Sequence, residues 1–454
     1  MSRQWWPAPV RPGRGLVAVV LATAFLGPAS PLAAQTPAPM PAPAASAQDL
    51  PPISTVPAEA VTFDEAITRA LAANLSVAQA AQSILRAEAL LQQANTVTKP
   101  TVGGTVTTTI LDSERGFDDL VTQPQTQALF GASVSYPVLA ASRWAARAQA
   151  SDQVTVARIG ADDVRRQVAT AAAQSYLAVI AQKRQVGVNL RALENAEAHL
   201  KDATAQLDAG AGSRLNQLRA SQAYESDRVL LEGSRMALVR AQEALGVLLA
   251  ADKPIDSAGE PAFEVPADPA IEQSLGERTD VQLFRASLDA AERVVADSWK
   301  DWVPTGTASF EPQYLTPAGL FQPSKTWRGV IQFQVPVFDG GQRKAVAAQR
   351  QVARDTAELQ LTEVQLRARS EIRVAEAAVA SAARAVESAR RASQQANEVV
   401  RITEFAFRAG ATTNLEVIDA QRSALDAETA AAQAEDRLRQ ARLDLLVALG
   451  RFPR

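Results

Sequence analysis

The sequence predicts a mainly α protein with a small β part, organised as a tandem structural repeat. Three observations carry this reading. Two proline-free stretches, from Val138 to Lys253 and from Val337 to Phe452, are rich in Ala, Gln, Glu and Arg, which are strong helix formers. Four short β-like segments with β-branched and aromatic residues lie in pairs between the helical stretches. The landmarks of one half of the chain recur in the other in the same order.

The repeat is visible residue by residue. Ala209-Gly210-Ala211, Leu215 and Ala220 return as Ala409-Gly410-Ala411, Leu415 and Ala420, an offset of 200. The run from Ser133 to Leu139 returns as Gln332 to Phe338, an offset of 199. Pro100 is matched by Pro304, and Asn74 to Val77 corresponds loosely to Arg278 to Val281. Residues 61–253 and 268–450 are therefore read as two repeats, with 254–267 as a linker.

The helices are long and paired. Ile372, Ala375, Val379, Ala382, Val386, Ala389, Ser393, Ala396 and Val400 alternate spacings of three and four residues, which predicts a coiled-coil seam. A helix from Gly341 to Arg408 would extend on the order of 100 Å, whereas an ordinary bundle would need breaks that are missing here. Each long helix is predicted to turn back once, at Asp208 to Ser213 and at Arg408 to Thr413. Gly210 and Gly410 would take the left-handed position after a helix end, and Ser213 and Thr413 would cap the returning helices. Thr62 and Glu65 open a shorter helix as a capping box.

The predicted strands are 101–111, 129–138, 305–314 and 329–337, joined by polar loops into two hairpins. At roughly ten residues each they match a tilted strand crossing a membrane. Phe130, Tyr136, Phe310, Tyr314, Trp327 and Phe333 sit where interfacial aromatics would stand, although a soluble four-stranded sheet could show the same residues.

Composition excludes several functions. A formal net charge of −3, from 46 basic and 49 acidic residues, gives no attraction to nucleic acid. The chain has no cysteine, so disulfides, thiolate nucleophiles, thiolate-bound metals and lipidation of a cysteine are excluded. No catalytic motif and no metal or cofactor site is read. His199, the single histidine, is expected to be a solvated helix-surface residue. Arg3, Arg11 and Arg14 before the apolar run Gly15 to Leu26 predict a signal peptide over 1–34, cleaved after Ala34. A Pro/Ala-rich linker over 35–60 follows.

Four strands cannot close a barrel, and an open edge cannot face lipid. Three copies would supply about twelve strands, within the range of outer-membrane barrels, and would gather the long helices into a hollow cylinder. A secreted coiled-coil adaptor or structural protein without a pore is the rival reading.

The chain resembles the TolC-like outer-membrane efflux protein family. The resemblance is carried by the duplicated turns Ala209 to Leu215 and Ala409 to Leu415, by Thr62-Phe-Asp-Glu-Ala66 with Asn74 beyond it, by Pro336-Val-Phe-Asp-Gly-Gly341 and by Arg278-Thr-Asp280. It implies a homotrimer with a 12-stranded outer-membrane β-barrel, set in outer-membrane lipid, and a long periplasmic α-barrel. A periplasmic adaptor and an inner-membrane transporter are the implied partners. It also implies that the helix turns form the periplasmic entrance. Glu416 and Asp419, three residues apart and so on one helix face, would then line its constriction. Asn216 and Arg219 stand at the equivalent places of the first repeat and are candidate gate tethers. Gly210, Gly410, Leu215 and Leu415 are the candidate adaptor-docking turns.

Overall fold

The computed structural model describes residues 57–117, 120–266 and 271–452. The predicted signal peptide and most of the 35–60 linker lie outside them.

The chain begins with β1 (Glu59–Val61), α1 (Phe63–Ala73) and α2 (Leu75–Thr96), followed by β2 (Thr101–Ile110), a small hairpin of β3 (Arg115–Phe117) and β4 (Leu120–Gln123), and β5 (Thr126–Leu139). The long α3 (Ala141–Asp208) turns back into α4 (Arg214–Leu248), which leads to β6 (Ile255–Ser257). The second repeat runs α5 (Ile271–Glu277), α6 (Thr279–Ala296), a short 3-10 turn, β7 (Thr305–Thr316), β8 (Lys325–Gln334), α7 (Gln342–Arg408) and α8 (Asn414–Ala448).

The two repeats interleave. In one half of the molecule α2 packs on α3, α3 on α6, and α6 on α7; in the other, α4 packs on α3, α3 on α8, and α8 on α7. The sheet continues the same order, β2-β5-β7-β8, with every neighbouring pair antiparallel. Elements of the first repeat (β2, α2, α4) thus form one edge, and β8 and α7 of the second form the other.

Local chemistry accounts for the element ends. Gly210 and Gly410 have φ of +74° and +72°, and the N–H of Ala211 and Ala411 donate back to Gln206 O and Ala406 O at 2.9 and 2.8 Å, which closes the last helical turn. Ser213 Oγ caps α4 by accepting from Asn216 N, and Thr413 forms a full capping box with Glu416. At Thr62 only half of the predicted box forms: Thr62 accepts from Glu65 N, whereas the Glu65 carboxylate takes Arg69 at 2.6 Å. β8 stops at Gln334, three residues short of the predicted end, since Pro336 has no N–H to give a ladder. Beyond it Asp339 accepts from Gly341 N, Arg343 N and Arg343 Nε. These donors hold the Asp339 carboxyl down at about 2, with the Arg343 guanidinium the main cause.

The predicted seam is present. Ile372, Ala375, Val386 and Val400 are buried along α7, and the other five seam positions are half-buried. Two findings extend the sequence reading. Residues 112–127, expected as a plain loop, contain the β3–β4 hairpin, and the segment 254–267 contributes β6, which pairs in parallel with β1.

The largest core lies at this β1–β6 junction. Val61, Ile67, Leu245, Ile255, Leu443 and Leu446 surround Tyr176, whose ring meets Phe63 edge-on at 5.4 Å. The Tyr176 hydroxyl lies 2.9 Å from Gly259 O and 3.1 Å from Val61 O. Lys183 pairs with Asp256 at 2.9 Å, and Glu260 bridges Arg184 and Arg439. The segment after β6 is thus strapped across α3 and α8. Tyr176→Phe should lower stability by about 1 kcal/mol, because Val61 and the segment after β6 lose their hydrogen bonds to the buried hydroxyl; a fall in the unfolding midpoint of the detergent-solubilised protein checks this.

Candidate functional site

The sheet separates polar from apolar residues by strand alternation. The ladder registers put Val102, Val106, Ile110, Phe130, Val134, Tyr136, Phe310, Tyr314, Trp327, Ile331 and Phe333 on one face. On that face Phe310 meets Trp327 at 5.9 Å and Phe130 meets Tyr314 at 6.4 Å between ring centres. The opposite face carries Thr101, Thr105, Thr107, Thr109, Ser133, Ser135, Thr307, Ser309, Gln313, Gln332 and the Glu311–Arg328 ion pair. One side suits hydrocarbon and the other suits water, which is the alternation of a barrel wall around a wet interior. No helix among the described residues is long and apolar enough to cross a membrane.

Both edges are left open. Among the described residues β2 and β8 each pair on one side only, and large apolar side chains project from the flanking helices. On α7, Val352, Leu359 and Leu366 recur at seven-residue intervals and are exposed, as are Leu85 and Leu90 on α2 and Val229 on α4. Apolar stripes at heptad spacing mark unpartnered coiled-coil faces.

The far ends of the two helical hairpins hold the residues singled out from the sequence. Leu215 and Leu415 are exposed, and open space surrounds Gly210 and Gly410. Glu416 and Asp419 are exposed on α8. Glu416 is also committed to its own helix, its carboxylate accepting from Thr413 N at 3.4 Å. Arg219 lines a cleft between α4 and α8 with Leu415, Ile418, Asp227, Arg422 and Asp426. Burial raises the carboxyl pKa of Asp227, partly opposed by Arg422.

One sequence expectation is wrong. His199 is not solvated: it is 4% exposed, with Nε2 2.7 Å from Asn414 Oδ1 and its ring edge-on to Phe407 at 5.1 Å. The polar composition around it concealed its register. Ala196 and Ala203, three residues before and four after, are also buried, and that periodicity was the signal available. The Asn216 carbonyl accepts from Asn414 Nδ2 at 3.3 Å.

Exposed apolar sheet face, polar opposite face, open edges and paired long helices define a section of the wall of a membrane channel. The outer membrane efflux protein model matches residues 66–251 and 270–451, and the chain belongs to the outer membrane efflux protein family. It is accordingly a passive channel protein and not an enzyme, and the pore-less adaptor reading falls. No curated protein is similar to it in sequence. Among solved structures, CusC, described in terms of transmembrane channel formation, is 17% identical with a TM-score of 0.77, over 86% of this chain and 93% of that one. A membrane protein from Pseudomonas aeruginosa is 20% identical with a TM-score of 0.76, over 86% and 91%. The outer membrane protein VceC from Vibrio cholerae is 18% identical with a TM-score of 0.73, over 86% and 96%. At these identities the likeness is one of fold.

Two substitutions test the assignment of faces. Ile331→Arg, in the middle of β8 on the apolar face, should cost about 2–4 kcal/mol of membrane stability if that face meets lipid, whereas Thr107→Arg on the polar face should be tolerated. The amount of each variant recovered from outer membranes gives the comparison, and equal recovery would contradict the assignment.

Proposed function

We propose that three copies of this chain close a 12-stranded barrel in the outer membrane and a helical cylinder in the periplasm. The conduit would serve a tripartite efflux or type I secretion system. Substrates are handed over by an inner-membrane transporter and a periplasmic adaptor and pass through without chemical change. The observation that carries the reading is the matched order of sheet and helices. It leaves β2, α2 and α4 open on one side and β8 and α7 on the other. An unlike pair of edges joins head to tail and closes a ring, and closure is the state in which no strand edge faces lipid. Four strands from each of three copies give the even strand number seen in bacterial barrels.

In this assembly the helix turns form the periplasmic entrance. Glu416 and Asp419 of three copies form an acidic constriction that favours cations. Arg219 acts as a gate tether, from the α4 side of the cleft it lines with Asp227 and Asp426. The exposed turns around Gly210 and Gly410, with Leu215 and Leu415 beside them, receive the adaptor.

Light scattering on protein extracted from outer membranes in mild detergent tests the assembly; a trimer is expected, and a soluble periplasmic monomer would overturn it. In planar bilayers the double variant Glu416→Gln, Asp419→Asn should lower cation preference, seen as a shift of reversal potential toward zero under a salt gradient. Arg219→Ala should raise conductance. Gly410→Phe should abolish efflux with trimers intact, because φ of +72° strains any side chain there and bulk fills the docking turn.

A further inference from the structure

The apolar face of the sheet is not evenly filled. Gly104, Ala132 and Pro312 stand in one row across β2, β5 and β7, with Trp327 of β8 at its end. They floor a groove of about 640 Å³. Phe130 and Tyr314, one row nearer the loops that join the strands, wall it on that side, and Phe310 with Trp327 closes it toward the helices. Successive rows on one face lie about 7 Å apart, so the groove is one side-chain layer deep. Packing within the chain does not require the small residues. A Cβ at Gly104 would meet only Gly131 O, at 4.0 Å, and one at Gly329, beside Phe310, would meet nothing within 4 Å. Glycine weakens a strand, and a strand glycine often marks a site that a ligand approaches closely.

One end of the groove is charged. Lys325, the first residue of β8, stands opposite Tyr314 in the ladder and lines the groove. It is the single charged residue on this face among the described residues, since Glu311 and Arg328 lie on the opposite face and bind each other. Lys325 and Tyr314 sit at the loop end of the strands, whereas the helices join at the other end. We propose that this groove is a binding site for an anionic, phosphate-bearing lipid of the outer leaflet. An acyl chain lies over Gly104, Ala132 and Pro312, and the phosphate meets Lys325. The inference rests on the reading that this face meets lipid with the helices in the periplasm.

Seating the chain is not driven by water, because the surrounding hydrocarbon is as apolar as the groove. The chain supplies contact: an empty trough would forfeit the dispersion contacts on the outer side of its floor. Headgroup choice comes from charge. The Lys325 ammonium is a compact donor on a flexible stem, which reaches the headgroup level while its methylenes stay in the apolar layer. A phosphate with net negative charge gains this contact, whereas a zwitterionic headgroup carries its own cation and gains little. One lysine near the surface favours anionic lipid about fivefold, and salt weakens the preference.

Trp327 reports on the site directly, since brominated acyl chains quench the fluorescence of a tryptophan they touch. The full-length protein is reconstituted in phosphatidylcholine bilayers with rising fractions of brominated phosphatidic acid or, in parallel, brominated phosphatidylcholine. Trp327→Phe gives the background from the other tryptophans. Half-quenching of Trp327 is expected at an about fivefold lower mole fraction of the phosphatidic acid, with the gap narrowing in high salt. Lys325→Gln should bring the two midpoints together. Gly104→Leu, which fills the trough where open space surrounds the glycine, should do the same, and Ala132→Leu repeats that test from β5. Equal midpoints in the wild-type protein, or a gap that survives Lys325→Gln or the filled groove, would overturn the site. Absence of quenching by either brominated lipid would overturn the site together with the reading that this face meets lipid.

Discussion

The constraint on which the rest of the structure depends is the unpaired backbone at the two edges of the four-stranded sheet. The sheet carries an apolar face on one side and a polar one on the other, so it suits a boundary between hydrocarbon and water, where an open ladder is the most costly feature. Unlike edges, β2 at one end and β8 at the other, permit ring closure by a single repeated contact. The helices obey the same demand, with α7 on the β8 side presenting an apolar stripe and α2 and α4 on the β2 side exposing Leu85, Leu90 and Val229. A protomer is thus a wall section whose lateral surfaces are incomplete by construction.

Duplication supplies this geometry economically in sequence terms, since one unit of strand pair, long helix, turn and returning helix is used twice. Interleaving makes the two copies interdependent: α3 of the first repeat sits between α6 or α8 of the second and its own partners. Capping chemistry then fixes where each helix begins. Asp339, ionised and ringed by three N–H donors, turns the exit of β8 into the start of α7, and Thr413 with Glu416 does the same for α8. One departure from symmetry lies where hairpins of different repeats touch, at His199 and Asn414.

Packing at the hairpin tip differs in kind from packing at the β1–β6 junction. The latter is a broad apolar core around Tyr176, reinforced by the Glu260 ion pairs, and is suited to remain fixed. The tip is narrow, lined by a polar cleft between α4 and α8, and joined by hydrogen bonds of the kind that water can replace.

The amino-acid sequence by itself determined the repeat, the long helices, the glycine turns at 210 and 410, their caps and the approximate strands, because each rests on local periodicity or on a backbone demand that one residue type meets. It also placed Glu416 and Asp419 on one helix face. It did not reveal β6 or the β3–β4 hairpin, which are too short to generate a pattern, nor the half-formed capping box, where Arg69 competes for Glu65. The burial of His199 lay beyond it for a related reason: its neighbours in sequence are polar, and the groups that desolvate and bind it, Phe407 and Asn414, come from the other repeat. Only the tertiary structure could decide such residues, since their surroundings are made by segments about 200 positions away in the chain.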